Sequence, residues 1–291
     1  MNQGKGYLGW VKLKKIGGQT SPGPALNTQT FIPTLITNPR NPLNFSYVPS
    51  VNAAQSPVNY VQGKRTPSVS FRALVKSSWF TNALISDLIG ASTYLDTNNN
   101  NSVYSIGINM GNGNATRVFD NFSCASITFH QEAQGGSIVA EFTFVGIYGD
   151  TEKSSPATFT TPTTDNGTML DITKSSFNST ADAVYSWRMS LMRPQAYQFE
   201  ADGTRYSDAI QAGMLGGTVQ YVTSDLSTTV PTSSVTIQIG SVGAGVQFVS
   251  YINPDEIVMD LGPALNSRTI SYTMGDFALA NFGYCVAISA M

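Results

Sequence analysis

The sequence holds a single histidine, His130, and two cysteines, Cys124 and Cys285. One histidine cannot build a multi-histidine metal site, and it leaves a histidine-centred catalytic triad with one possible member. Two thiols and one imidazole fall short of the four ligands of a structural zinc site. Two cysteines in a chain of 291 residues are also no disulfide framework. Both read as small buried apolar residues, and His130, next to Phe129 and before Gln131-Glu132, reads as structural or solvent-exposed near a turn. No metal and no cofactor is expected.

Charge is scarce as well. Asp, Glu, Lys and Arg make up 12% of the chain, against about 25% in ordinary soluble domains. Hydrophobic residues reach 41% and aromatics 11%, enough for a substantial core. The surface must then be Ser, Thr, Asn, Gln and Gly, as in Asn98 to Asn101 and Thr158 to Thr164. Neutral polar groups cost less to dehydrate than ions, which suits a chain whose surface becomes interface. The net charge is −2, and the 16 basic residues are scattered apart from Lys12, Lys14 and Lys15. That argues against an affinity binder of nucleic acid, which needs a clustered cationic face.

Enzymatic signatures are missing too. There is no phosphate-cradling P-loop, and Gly111-Asn112-Gly113 lacks the third glycine and the helix of a dinucleotide site. The conspicuous acidic pair Asp255-Glu256 follows Asn253-Pro254 and reads as a turn, so no catalytic residue is assigned. No signal-peptide core is evident, and no run approaches the roughly 18–20 apolar residues of a membrane-spanning helix.

What the sequence does have is period-2 alternation. It marks strands at Ser68 to Val75, Ser123 to Thr128, Ser137 to Val145, Val184 to Leu191, Thr218 to Val222, Val235 to Ile239, Val246 to Ile252 and Thr269 to Met274. Turn signals such as Gly135-Gly136 and Gly216-Gly217 separate them. The expected fold class is all-β, a sandwich or barrel. One segment differs. Ser78 to Ile89 opens on a capping serine, places Leu84, Ile85, Leu88 and Ile89 with Trp79 or Phe80 on one face, and predicts a short helix ending at Gly90. The stretch Thr151 to Asp165 reads as an extended linker, and the proline-rich Gly17 to Asn44 as an irregular arm or loop. The lysines at 12, 14 and 15 alternate with Val11 and Leu13 and suit either an edge strand or pairing with an acidic neighbour in an assembled ring.

A pattern also repeats. Tyr60 to Leu74 (YVQGKRTPSVSFRAL) resembles Ala209 to Thr223 (AIQAGMLGGTVQYVT) in order of residue types. Tyr104 to Gly146 likewise shares its sequence of strand, glycine turn, aromatic segment, strand, loop and final strand with Val235 to Asp276. Two tandem β units are expected: residues 1–150 with an N-terminal arm, a linker at 151–180, and residues 181–291. A duplicated β unit leaves strand edges to pair with another copy, and repetition about an axis closes a ring.

These features are similar to those of the tail-tube proteins of long-tailed phages. The residues that carry the likeness are the turns at Gln62-Gly63 and Gln211 to Gly213, the alternating strand after each, the helix Ser78 to Ile89, and the closing strands Ser137 to Gly146 and Arg268 to Asp276. The resemblance implies β-sandwich domains whose inner strands join around a ring into a barrel lining a channel, with rings stacking into a tube. Family rings of six domains imply three copies of a two-domain chain. The implied role is a non-enzymatic virion protein, assembled in the host cytoplasm into the tail. Its partners would be itself, other tail proteins and double-stranded DNA in transit, with no membrane insertion. Glu141, Thr143, Thr273 and Asp276 are the candidate lumen-facing residues, the carboxylates forming a repelling lining. Alternatives are a decoration or tail-terminator protein, or a carbohydrate-binding β protein using Trp10, Trp79 and Trp187 as stacking platforms, although core packing suits Trp79 and Trp187 better.

Overall fold

The computed structural model describes residues 9–18, 29–31, 33–40, 45–48, 59–62, 67–75, 85, 88, 102–109, 117–132, 136–146, 152–153, 175–177, 184–193, 195–198, 209–212, 216–224, 234–239, 246–261, 266–274 and 286–290. Every element described is a strand. The first ten are β1 (Trp10–Gly18), β2 (Gln29–Phe31), β3 (Pro33–Arg40), β4 (Phe45–Val48), β5 (Asn59–Gln62), β6 (Ser68–Leu74), β7 (Ser102–Asn109), β8 (Arg117–Gln131), β9 (Val139–Gly146) and β10 (Glu152–Lys153). Nine more follow: β11 (Ser175–Phe177), β12 (Val184–Met192), β13 (Gln195–Gln198), β14 (Ala209–Ala212), β15 (Gly216–Thr223), β16 (Ser234–Ile239), β17 (Val246–Leu261), β18 (Asn266–Met274) and β19 (Val286–Ala290).

Alternation is what makes these segments strands. Along β9 each step swaps a half-buried residue for a buried one. Ala140, Phe142 and Phe144 are completely buried, while Glu141 and Thr143 lie on the other face. Successive side chains of a strand point to opposite sides, so one pattern produces a core face and a polar face. The core gathers the inward residues of many strands, among them Leu13, Phe71, Ile127, Phe129, Met189, Leu191, Val219, Ile270 and Tyr272.

All pairings are antiparallel, and their order occurs twice. One series runs β3–β6–β9–β8–β7–β1, the other β12–β15–β18–β17–β16–β11. The β4–β5 hairpin answers to β13–β14, and β10 lies on β8 as β19 lies on β17. Among the described residues only β2 has no counterpart.

The repetition extends to single residues. β8 shifts register against β9 between Cys124 and Ser126, and β17 against β18 between Pro254 and Glu256. β3 shifts against β6 between Pro33 and Leu35, and β12 against β15 between Val184 and Ser186. In each case one residue (Ala125, Asp255, Thr34, Tyr185) bulges at the matching place. Phe71 stacks on Phe144 with centroids 6.0 Å apart, and at the matching positions Tyr221 stacks on Tyr272 at 6.1 Å. Ser70 bonds Thr143 across its strand pair at 3.2 Å, and Gln220 donates to Ser271 at the same distance.

Each long strand serves two sets of neighbours. The first part of β8 pairs with β7 and β10, and its last part with β9 and β12. The β8–β12 pairing, Ser126 to Gln131 against Met192 to Trp187, joins the two series edge to edge. An unbroken run of eight strands results, β3-β6-β9-β8-β12-β15-β18-β17.

Several expectations need correction. The proline-rich stretch 17–44 contains β2 and β3. Pro33 opens β3 and Pro39 lies where its register shifts between Thr37 and Arg40, places where a sheet tolerates a missing N–H. The lysine-bearing strand is no edge at Lys12, because Thr30 of β2 and Gly107 of β7 flank it. Lys12 is buried with its ammonium 5.4 Å from the Trp10 ring centroid, and that burial lowers its pKa. Asp255-Glu256 is a strand bulge instead of a turn, His130 lies inside β8, and Gly216-Gly217 opens β15. Of the expected helix only Ile85 and Leu88 are described; both are helical and buried in the core. The 151–180 range includes β10 and β11, and its other residues lie outside the described set.

Candidate functional site: the polar face of the joined sheet

The candidate site is the non-core face of the eight-strand run, built by register. Reading straight across the strands, one row holds Arg72, Glu141, Thr128, Ser190, Thr218 and Thr273. The adjacent row holds Val139, His130, Arg188, Gln220 and Ser271. Small hydroxyls dominate because each can donate and accept toward its neighbours without an ion. Thr128 and Ser190 do so at 3.1 Å across the β8–β12 seam.

The expected lumen-facing residues Glu141, Thr143 and Thr273 all lie on this face, Glu141 and Thr143 in adjacent outward positions of β9 and Thr273 at the far end of the first row. Asp276 lies outside the described residues. Glu141 is not a bare carboxylate. Arg72 pairs with it directly, Arg188 Nη2 stands 3.8 Å from its Oε2, and His130 Nε2 stands 3.9 Å from its Oε1. Four adjacent strands, β6, β9, β8 and β12, each supply one member, so the cluster straddles the seam. Glu132 joins the cluster, its Oε1 3.8 Å from His130 Nδ1, so with His130 neutral the two guanidiniums are balanced by two carboxylates.

His130 is the tightly held member, its side chain 12% exposed against 48% for Arg72 and 56% for Arg188. Burial pushes its pKa below the ordinary value. Glu141 and Glu132 oppose that shift, while Arg188 and Arg72 reinforce it. Its Nε2 is buried and has no hydrogen-bond partner among the described residues. A shallow recess of about 230 Å³ beside it is lined by His130, Glu132, Ser186, Arg188, Gln220 and Val222, among others.

Behind the polar face the seam is fastened by a buried polar pair. The indole N–H of Trp187 donates to Gln131 Oε1 at 2.9 Å, and Gln131 Nε2 donates to the Gly136 carbonyl at 2.8 Å. Trp187 and Trp10 are each 3% exposed, so neither offers a face for sugar stacking; Trp79 lies outside the described residues. Cys124 is buried outside any disulfide, its thiol donating to the Ser126 carbonyl at 3.6 Å, and burial raises its pKa, which keeps it a thiol at neutral pH. Cys285 is likewise outside the described set.

The alternation alone places Arg72 and Arg188 on the polar face with Glu141, and it ends at Thr128, short of His130. It cannot bring them together, because the β8–β12 pairing that does so has no local signal. Among the described residues, no group of three His, Cys, Asp or Glu side chains is placed to hold a metal ion, and no helix is long and apolar enough to cross a membrane. Set against known proteins, the sequence matches no protein-family model and no curated protein.

Proposed function

We propose that this chain is a tail-tube subunit of a long-tailed phage, a structural protein whose rings stack into a channel for double-stranded DNA. The observation that carries this reading is the doubled pairing order, whose two series meet edge to edge at the β8–β12 seam. In this reading each series belongs to one domain of a duplicated pair, and the eight-strand run is one chain's share of a barrel. The hydroxyl-rich face turns to the channel and the aromatic face to the protein core.

Three such shares give 24 strands. With strands about 4.8 Å apart and tilted about 40°, the backbone cylinder is about 48 Å across. That passes a B-form duplex with room for side chains and water. A lining of Ser, Thr and Gln with one balanced ionic cluster per chain gives DNA few strong phosphate contacts, which suits transit better than retention. The scarcity of charge fits the same picture, since a subunit buried on both flanks and both ends dehydrates much of its surface.

Negative-stain electron microscopy of the purified chain at rising concentration tests the proposal. Hollow tubes of uniform bore are the expected result. Discrete rings that never stack would favour a tail-terminator or decoration role, and a protein that stays monomeric at high concentration would defeat both.

A further inference from the structure

The two ends of the eight-strand run are unequal to each other and equal to something already seen. β3 pairs with β6 on one side, and Ile252 to Leu261 of β17 pair with β18 on one side. Among the described residues, neither has a strand on its other edge. β3 is the counterpart of β12, with the same bulge at Thr34 as at Tyr185. β17 is the counterpart of β8, with the same bulge at Asp255 as at Ala125. The seam β8–β12 is therefore a worked example, inside one chain, of how a β17 edge meets a β3 edge.

We infer that residues 256–261 of β17 pair antiparallel with β3 of a second copy of this chain, in the register that the internal seam dictates. The closure of such pairs into a ring rests on the tube reading above, while the pairing itself rests on the repeat. Trp187 opposes Gln131 and Arg188 opposes His130 in the seam. Carried to the matching positions, Ile36 opposes Leu261 and Thr37 opposes Asp260. Beyond Thr37 the strand departs from its counterpart, because Asn38 and Pro39 together oppose Val69, the place that Met189 alone fills opposite Val219. Arg40 then opposes Val258. The extra residue acts as a register lock, since a slid partner meets Pro39 where it needs an N–H.

The contact is heterologous: one edge meets a different edge, so it propagates head to tail until a ring or a helix results. Its chemistry also differs from the internal seam. The positions of Arg72, Glu141, His130 and Arg188 are taken at the new joint by Val222, Thr269, Asp260 and Thr37. At those four positions the internal seam carries an ionic cluster and the joint between copies keeps a single charged residue, Asp260, with Glu256 and Arg40 farther along it, so the assembled lining alternates between two kinds of joint.

The test is disulfide trapping in the full-length chain. A chain carrying Thr37→Cys and Asp260→Cys, oxidised with glutathione disulfide, should give a ladder of linked copies ending in a closed species. Mixing the two single variants should give a two-chain product and nothing larger. Ile36→Cys with Leu261→Cys serves as a second pair. Adjacent antiparallel pairs alternate in Cα separation, so one of the two suits disulfide geometry better. Thr37→Cys with Val258→Cys, two residues out of register, should link at least ten-fold less, and the unaltered chain sets the background from Cys124 and Cys285. Equal linking of the shifted pair, or a single variant that links to itself, overturns the inference. Tubes under the microscope without the predicted link would refute the register and leave the tube reading standing; the link without tubes would do the reverse. Hydrogen exchange on the unaltered chain needs no cysteine. Amides of residues 33–40 and 256–261 should gain protection as concentration rises, and no change there counts against the pairing.

Discussion

Trp187→Phe cuts the buried polar fastening of the β8–β12 seam while keeping an aromatic ring in the core. Trp187 and Gln131 are both 3% exposed, and their 2.9 Å hydrogen bond spans the two repeats. Losing the indole N–H takes that donor from a buried carboxamide oxygen, at a cost of about 1–3 kcal/mol. The smaller ring adds about 1 kcal/mol for lost contacts and residual cavity. A destabilisation of about 2–4 kcal/mol is expected. Gln131→Met, close in shape, leaves the indole and the Gly136 carbonyl without the carboxamide and should cost about 2–3 kcal/mol. The double variant removes both partners of the seam bond, so it should cost less than the sum of the singles by about 1–2 kcal/mol. Urea unfolding followed by far-UV circular dichroism gives all three values from midpoints and a shared slope, at concentrations below self-association. Additivity within about 0.3–0.5 kcal/mol would show that the bond carries no coupling energy. The seam would then be held by apolar packing alone.

Other outcomes follow from single residues. Because His130 is the sole histidine, its ring protons report one titration by NMR, with a midpoint below the ordinary value of about 6.5. Glu141→Gln should lower that midpoint further, and Arg188→Gln should raise it; opposite shifts would contradict the cluster geometry. The unfolded chain takes up this proton first as pH falls, so His130 costs stability from about pH 6.5 down to its folded pKa and no more below it, a slope that His130→Gln should flatten. A Cβ added at Gly217 would collide with the Ser190 carbonyl of the paired strand, which no side-chain rotation relieves. Gly217→Ala should therefore cost more than about 2 kcal/mol in thermal or urea unfolding, whereas Gly216→Ala, with open space around its Cβ, should fall within about 1 kcal/mol.

The strands were readable in the sequence wherever one face is buried. Ser137 to Val145 alternates so cleanly that its core and polar faces follow from period alone, and Glu141, Thr143 and Thr273 fall together on the polar one. The repeat was visible as a pattern, but its residue-level match was not. Bulges such as Ala125 and Asp255 arise from pairing partners far along the chain, and nothing local announces them. Prolines misled for a related reason: Pro33 and Pro39 argue against a central strand but not against the end and the bulge of an outer one. Lys12 looked like edge protection because a short neighbouring strand, Gln29 to Phe31, carries too little alternation to be seen.

The β8–β12 seam also bears on assembly kinetics. Its two edges belong to one molecule, so they meet at the high effective concentration of a tethered pair and stay joined at any dilution. In a ring of three chains, half of the six joints are then present before any encounter, and only three must form by collision. Nucleation would scale with about the third power of protein concentration, where a one-domain subunit building the same ring would face the sixth. Under the tube proposal above, a chain of this design completes rings at concentrations where a one-domain subunit would not.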